Sequence, residues 1–531
     1  MTGKAVTERW KVGALGGIAA LAALAAGLPR AQADELADLR ANQQLLQQRI
    51  DQLQQQLALG ARPVAPGAPA LAGSFPRSIL IPGTNTSLSV GGYVNLDVSY
   101  WFQGGPVNGN VQTPVIGEAG QAEATPLHLH GQSVGGLIFS APTFDPRARG
   151  NGVFQMTARE SRLRVETRTP TPYGEAGTVF EFDWLGCNNL SCNGLNHVSN
   201  NLLPRLRLAY GTLGGWLAGQ AFDTLNDLSA NPETIDFGGT AGQWGPSRLP
   251  QLRYTGELPW PGLSFAIAAE SPQTDLFTPG GEIFSDTSAI PAVDGVGTPS
   301  VLAVNPTKSV MPDWAGYLQI VRPWGHLRVQ GVLRDLEIQD GHLISRNFLG
   351  YGGGFTGNVK PWSFWPKDNL VFQFGAGSGL GRYNYGVTSG GLETNFGGCG
   401  VYIDTAGDCA PGTALYGRAG GPTTAAAAAS IIVKPVTEWF GAVGYQHWWA
   451  PNWRSNIAFG IRHQDVSPQL VGPVQAATGV NKQIYTAHAN VIWSPVAFID
   501  IGLEYMHAQR KTIANIPGVE DEVQGEFKVK F

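Results

Sequence analysis

The chain is 531 residues long, with 14 % charged residues, 71 glycines, a formal net charge of −5 and a mean hydropathy of −0.07. So mild a charge argues against nucleic acid as a partner and against an acidic tail, and no apolar run of helix-spanning length follows Arg30, which excludes a bundle of transmembrane helices. Rich in glycine and aromatics and poor in lysine, the composition suits the strands of a transmembrane barrel.

Lys4, Arg9 and Lys11 front a run from Val12 to Leu28 made almost entirely of Ala, Leu, Gly, Val and Ile, and Ala31-Gln32-Ala33 places small residues at alternate positions. Residues 1–33 therefore read as a secretory signal peptide, with the mature chain starting near Asp34. Residues 34–59 carry a heptad seam, with Leu36, Gln43, Ile50 and Leu57 at a and Leu39, Leu46 and Leu53 at d. So short a coiled-coil helix is marginal alone and is expected to form when its partners are held together by something larger. Gln43 favours one register, and Glu35 at g can meet Arg40 at e of a neighbour; the heptads do not separate dimer from trimer. Residues 60–86, rich in Pro, Ala and Gly, read as an extended linker.

From residue 87 to 531 the period is two. In Ser87 to Trp101, the apolar Leu88, Val90, Val94, Leu96, Val98 and Tyr100 share one parity, and Ser87, Ser89, Asn95, Asp97 and Ser99 share the other. The next strand, Phe154 to Thr169, puts Arg162, Arg164, Glu166 and Arg168 on one face. A Lys or Arg turned toward lipid costs about 2–4 kcal/mol at the midplane, so that face is predicted to look inward. After a tight turn at Pro170 to Gly174, the segment Gly177 to Leu185 sends Phe180, Phe182 and Trp184 outward and Glu181 and Asp183 inward.

Further strands are predicted at Pro204 to Leu213, Trp216 to Asp223, Arg248 to Gly256, Leu263 to Glu270, Asp313 to Val321, His326 to Glu337 and Gly350 to Val359. Asn369 to Gly377, Glu438 to Trp448, Arg454 to Asp465, Gln483 to Trp493, Phe498 to His507 and Val523 to Phe531 complete an all-β barrel of sixteen strands. Short turns at Gly214-Gly215, Glu257 to Gly262 and Arg322 to Gly325 alternate with long connections at Gly186 to Asn201, Thr224 to Ser247 and Ser271 to Pro312, as in a barrel with periplasmic turns and external loops. Thr423 to Val433 could be one strand more. Both chain ends on one side require an even number, which assigns that Ala-rich piece to the outer loop carrying Cys399 and Cys409. In the last strand Phe527, Val529 and Phe531 take the lipid parity and Glu526, Lys528 and Lys530 the other. Phe531 is the candidate assembly signal, with the barrel-assembly machinery as its partner.

In an oxidising compartment, Cys187 with Cys192 and Cys399 with Cys409 are expected as local disulfides, although three pairings are formally possible. Neither spacing suits a zinc knuckle. His128 and His130 lack a third ligand nearby, and His447, His463, His488 and His507 are scattered over strands, so no metal and no cofactor are expected. No nucleotide loop, nucleophile elbow or HExxH helix appears. The lumen charges carry more. Arg162, Arg164, Arg168, Arg205, Arg207 and Arg253 are expected to form a basic wall, because inward positions of neighbouring strands lie about 5 Å apart. Glu160, Glu166, Glu181 and Asp183 temper it. The bland alternative is a neutralised ion network that merely keeps the lumen wet. The connection Thr224 to Ser247 carries Asn226, Asp227, Asn231, Glu233 and Asp236; folded inward, it would narrow the pore and set an acidic side against a basic one.

Gly73-Ser74-Phe75, Pro82-Gly83-Thr84-Asn85-Thr86-Ser87, Gly91-Gly92-Tyr93-Val94-Asn95-Leu96-Asp97, Arg159-Glu160-Ser161-Arg162-Leu163, Phe180-Glu181-Phe182-Asp183, Gly219-Gln220-Ala221-Phe222, Asn231-Pro232-Glu233-Thr234-Ile235-Asp236 and Gly379-Leu380-Gly381-Arg382-Tyr383 occur in that order before the terminal Phe531. With these motifs the chain resembles the DcaP-like porins over most of its mature length. The resemblance implies a sixteen-stranded homotrimer in outer-membrane lipid with an N-terminal coiled coil in the periplasm, passing small organic anions such as dicarboxylates. The long stretches Phe102 to Gly152 and Ser378 to Thr437 depart from the family pattern. The expected function is passive diffusion of small hydrophilic solutes through an outer-membrane channel, with no enzymatic step. A structural or adhesive barrel anchored by its coiled coil, and an outer-membrane hydrolase needing a Ser-His pair on the outside of the barrel that the sequence does not single out, are the competing readings.

Overall fold

The computed structural model describes residues 72–103, 152–186, 203–245, 247–277, 283–285, 307–339, 345–384, 392–394, 432–471, 481–515 and 517–531. Among them sixteen antiparallel strands close into one barrel. In chain order these are β1 (Ser87–Gln103), β2 in two halves (Val153–Thr157 and Arg162–Thr171), β3 (Gly174–Gly186), β4 (Leu203–Leu213), β5 (Trp216–Phe222), β6 (Arg248–Glu257), β7 (Leu263–Glu270) and β8 (Asp313–Arg322). They continue as β9 (Gly325–Gln339), β10 (Ser345–Val359), β11 (Asn369–Ser378), β12 (Thr437–Ala450), β13 (Trp453–Asp465), β14 (Asn481–Val496), β15 (Ile499–Thr512) and β16 (Pro517–Lys530). Each pairs with the next, and β16 returns to β1 with Tyr93 opposite Lys530 and Leu96 opposite Phe527. Gly92 N–H donates to the Phe531 carbonyl at 3.2 Å and Phe531 N–H to the Gly92 carbonyl at 3.1 Å, so the last residue completes the seam. Closure leaves no sheet edge, which hydrocarbon could not satisfy.

The alternation read from the sequence becomes an inside-out protein. Along β15, Leu503 is 54 % exposed, Glu504 1 % and Tyr505 45 %. The same switch runs through β1, where Asn95, Asp97 and Ser99 are buried between the exposed Val94, Leu96 and Tyr100. A soluble sandwich would bury the other set. Exposed aromatics collect at the short-turn end, with Tyr173, Trp216, Trp260, Trp324, Trp362, Trp365, Trp449, Trp453 and Phe498 beside the turns, where amphipathic rings favour a membrane interface.

Two expectations change. The strand Phe154 to Thr169 is interrupted: between the pairs Tyr93 with Arg162 and Asp97 with Thr157, β1 supplies residues 94–96 where β2 supplies residues 158–161. That extra residue is a bulge. It buries Arg159 and Glu160, and Asn95 answers it with its N–H on Ser161 Oγ (3.1 Å) and its Nδ2 on Glu160 (3.2 Å). The end of the expected linker, meanwhile, is paired structure, since Ile79–Leu80 lies antiparallel to the start of β1.

Val433–Pro435, at the end of the Ala-rich piece, joins Leu392–Thr394, Asp275–Phe277 and Ile283–Ser285 in a separate small sheet and not the barrel wall. The signal peptide, the coiled coil, Cys187, Cys192, Cys399, Cys409, His128, His130 and residues 423–431 lie outside the described residues.

Candidate functional site: the constricted lumen

The connection between β5 and β6 folds inward and runs along the inner wall from β9 to β15 before returning. Successive strands hold it. Gln330 on β9 donates to the Leu225 carbonyl (2.5 Å), and Asp227 accepts from Thr356 on β10 (2.6 Å) and lies 2.7 Å from His326 Nε2 on β9. On β11 Gln373 donates to the Ala230 carbonyl (3.1 Å) and to Asn231 (2.6 Å). Glu233 accepts from Arg454 on β13 at 2.7 Å and from Gln446 on β12 at 2.5 Å. At the tip, the N–H groups of Ile235 and Asp236 donate to the two oxygens of Glu504 on β15, at 2.8 and 3.2 Å. The return leg is fixed by Ala241 N–H on Thr486 Oγ1 (2.9 Å) and Trp244 N–H on Gln373 (3.0 Å).

Apolar contact adds to this. Leu225, Trp244, Leu249, Ala315, Val332, Leu380, Tyr383 and Phe440 form a buried cluster inside the barrel, so inward-facing apolar residues occur where inner segments cover them. Gly460 permits the closest approach: a Cβ there would collide with the Ala241 carbonyl.

A second inner segment, Gly379 to Asn384, braces the first. Gly245 N–H donates to the Tyr383 carbonyl (2.9 Å) and Ser247 Oγ to the Arg382 carbonyl (2.9 Å). Arg334 donates to the carbonyls of Gly379 and Leu380 (both 2.8 Å), and Tyr383 Oη donates to Glu270 (2.7 Å).

Beside the loop, a lumen cavity of about 870 Å³ faces β2, β4 and β6. Among the described residues, seven basic ones line it (Arg162, Arg164, Arg207, Arg248, Arg253, Arg328 and Lys528), as do seven acidic ones (Glu160, Glu181, Asp223, Asp227, Glu233, Asp236 and Glu526). Number is balanced; placement is not. Asp227 and Glu233 are turned into the β9–β13 side, and Asp236 is buried. By contrast the guanidinium groups of Arg162 and Arg207 lie 5.8 and 5.5 Å from the ring of Phe237 at the loop tip, and Arg162 and Lys528 sit 5.1 and 5.2 Å from the ring of Tyr93. Cations held over aromatic faces keep a fixed position beside the path.

Carboxylates hold the basic wall in register. Glu181 reaches Arg162 (3.4 Å), Arg164 (3.5 Å) and Arg207 (2.9 Å), and Asp183 reaches Arg205 (2.5 Å) and Arg207 (2.9 Å). Glu166 pairs Arg164 at 3.1 Å and Arg168 at 2.8 Å. The structure therefore gathers Arg162, Arg164, Arg207 and Arg253 around the cavity with Asn226, Asp227, Asn231, Glu233 and Asp236. Arg205 stands nearer the long-loop end on Asp183, and Arg168 nearer the turn end against Phe75 at 4.5 Å.

Protonation differs within the loop. Burial alone would raise the Asp227 carboxyl, but hydrogen bonds from His326, Thr356 and Ser229, with Arg328 nearby, hold it below the usual carboxylate range. Asp236 goes the other way: burial first, then the Glu522 and Glu504 carboxylates, push it well above that range.

Sequence reasoning missed the residues that seat the loop. His326, Gln373, Arg454 and Glu504 lie 99 to 269 positions from their partners, and no local period marks them. Their only signal is a polar inward residue on an otherwise ordinary strand.

No protein-family model matches the chain, and no curated protein does. Among solved structures, the chain is similar to the outer-membrane channel DcaP of Acinetobacter baumannii, with a TM-score of 0.56 at 19 % identity over 84 % of this chain and 97 % of that one. Looser likenesses include OmpF of Salmonella typhi (TM-score 0.44, 9 % identity, 86 % of this chain and 100 % of that one). An anion-selective porin from Comamonas acidovorans is another (TM-score 0.40, 10 % identity, 84 % of this chain and 100 % of that one). The sequence motifs and the closed barrel thus point the same way, and the chain has the fold of an outer-membrane porin, a sixteen-stranded antiparallel barrel of the kind seen in DcaP.

Proposed function

We propose that this chain is a passive outer-membrane channel, assembled as a homotrimer, that favours small organic anions such as dicarboxylates over cations of similar size. The observation that carries the anion preference is the asymmetry of the constriction. Arg162, Arg207 and Lys528 face the open path over Tyr93 and Phe237, whereas the loop carboxylates Asp227 and Glu233 are engaged with the β9–β13 side. A guanidinium row beside a narrow aqueous path raises the local concentration of anions and lowers that of cations. The coiled coil is supported by the heptads of residues 34–59 and the exported N-terminus by the leader of residues 1–33, while the trimer and the periplasmic placement rest on the resemblance to DcaP-like porins.

Planar-bilayer reversal potentials under a potassium chloride gradient test the preference. Neutralising Arg162, Arg164 and Arg205 together should move the potential toward the cation side. An unchanged potential would refute the assignment. Liposome swelling with sugars, amino acids and dicarboxylates of matched size then ranks the solutes, and dicarboxylates should enter fastest.

A further inference from the structure

We infer that the turn end of the lumen holds a second anion subsite, centred on Arg253, that receives small inorganic or carboxylate anions as they leave the constriction. The inference rests on the anion-preferring reading above. Below the constriction lies another cavity of about 510 Å³, lined among others by Thr212, Arg253, Thr255, Glu257 and Ser264. Arg253 borders this cavity and the 870 Å³ cavity alike. It is the doorway between them.

Strand register explains why its charge is available. Arg253 stands opposite Leu217 on β5 and Ala268 on β7, and its same-face neighbours along β6 are Gln251 and Thr255. None of these four positions carries a carboxylate. Arg164, by comparison, faces Glu181 directly across the β2–β3 pair. Among the described residues Arg253 makes no ion pair, and its Nε is buried without a hydrogen-bond partner. A half-buried guanidinium with an unsatisfied N–H is poised to accept an anionic ligand. Thr212, Thr255 and Ser264 add hydroxyl donors around it. Glu257 lies four residues on, roughly 13 Å along the strand, so it marks the lower limit of the subsite without neutralising it. Two weak sites in series let an anion enter and still leave, as conduction requires.

The full-length channel in planar bilayers supplies the test, with chloride as the conducted anion and hydrogen phosphate added from the turn side as the probe. Arg253→Gln should lower the chloride-to-potassium permeability ratio about twofold, the effect of one partly screened charge about 5 Å from the path. It should also abolish the block of chloride current by phosphate. Arg253→Lys keeps the charge and should restore both, which separates loss of charge from a misfolded barrel. A wild-type channel without anion preference would overturn the underlying reading. A wild-type channel with anion preference, matched in ratio and phosphate block by Arg253→Gln, would overturn the subsite alone.

Discussion

Replacing Glu504 with alanine should release the tip of the inner loop while leaving the barrel closed. The side chain is buried on the inner face of β15 and accepts from the N–H groups of Ile235 and Asp236 at 2.8 and 3.2 Å. Asn490 Nδ2 donates to it at 2.8 Å, and His488 Nδ1 lies 3.0 Å away. A hydrogen bond to a charged group contributes roughly 1.5–3 kcal/mol, so losing the two from the loop costs the seated tip about 3–6 kcal/mol. Lumen water can replace part of this, which favours the lower end. Even about 3 kcal/mol shifts the seated-to-released ratio by about a hundredfold. The neighbouring anchors, Glu233 on Arg454 and Ala241 on Thr486, remain. Only residues 234–238 should therefore swing, carrying Phe237 off Arg162 and Arg207. In planar bilayers Glu504→Ala should show a larger single-channel conductance with more open-state noise, and Glu504→Gln, which keeps one acceptor, should fall between. A Glu504→Ala channel produced in normal outer-membrane yield, with wild-type conductance and noise, would refute the claim that this carboxylate seats the tip.

Asp236 predicts a pH dependence of the same tip. Its carboxyl is held well above the ordinary range by burial and by Glu522 and Glu504, so the seated loop favours the neutral acid. The associated stability is complete below the ordinary carboxylate value of about 3.9 and is lost as pH rises through the raised one; wild-type noise should grow on the alkaline side, and Asp236→Asn should flatten that trend. Leu318 on β8 is exposed on the lipid face opposite Val329, midway along the strand between the exposed Trp314 and the turn, so Leu318→Arg should cost about 2–4 kcal/mol of barrel stability in equilibrium unfolding from lipid vesicles. Deleting Phe531 removes both backbone bonds to Gly92 and an exposed aromatic at the turn end; the amount of barrel inserted in the outer membrane should fall, and an unchanged yield would count against an assembly role.

The barrel was legible because each wall residue answers one local question, lipid or lumen, and the answer alternates. Arg162, Arg164 and Glu166 against Leu163 and Val165 settle a face without knowledge of any partner. The break in β2 left only a small mark: Phe154 and Met156 put the apolar face on even positions, Leu163 and Val165 put it on odd ones, and the charged pair Arg159-Glu160 sits at the switch. What bends the chain there is the register against β1, a relation between residues 65 and 66 positions apart. The loop shows the same division. Its inward course could be suspected from carboxylates in the connection after β5, but those side chains looked like a free acidic face until their partners were known. Arg454 takes Glu233, and His326 with Thr356 takes Asp227.

Those partners decide how the channel's charge acts. A loop carboxylate facing the arginine wall directly would form a close pair and cancel much of the field an anion feels. Here Glu233 forms its close pairs with Arg454, Gln446 and Asn456, none of them a member of the basic wall, while Asp236 is buried and its carboxyl is pushed well above the usual range. Seating the loop and shaping the field are thus one arrangement: the acids that tie the constriction to β9–β15 are drawn away from the arginines of β2 and β4. Glu181 and Asp183, by contrast, hold those arginines in place at the expense of part of their charge. The charge left on that wall is then joined by a cation whose strand neighbours carry no carboxylate, and Arg253, flanked by Leu217 and Ala268, is the position where the strand register supplies one.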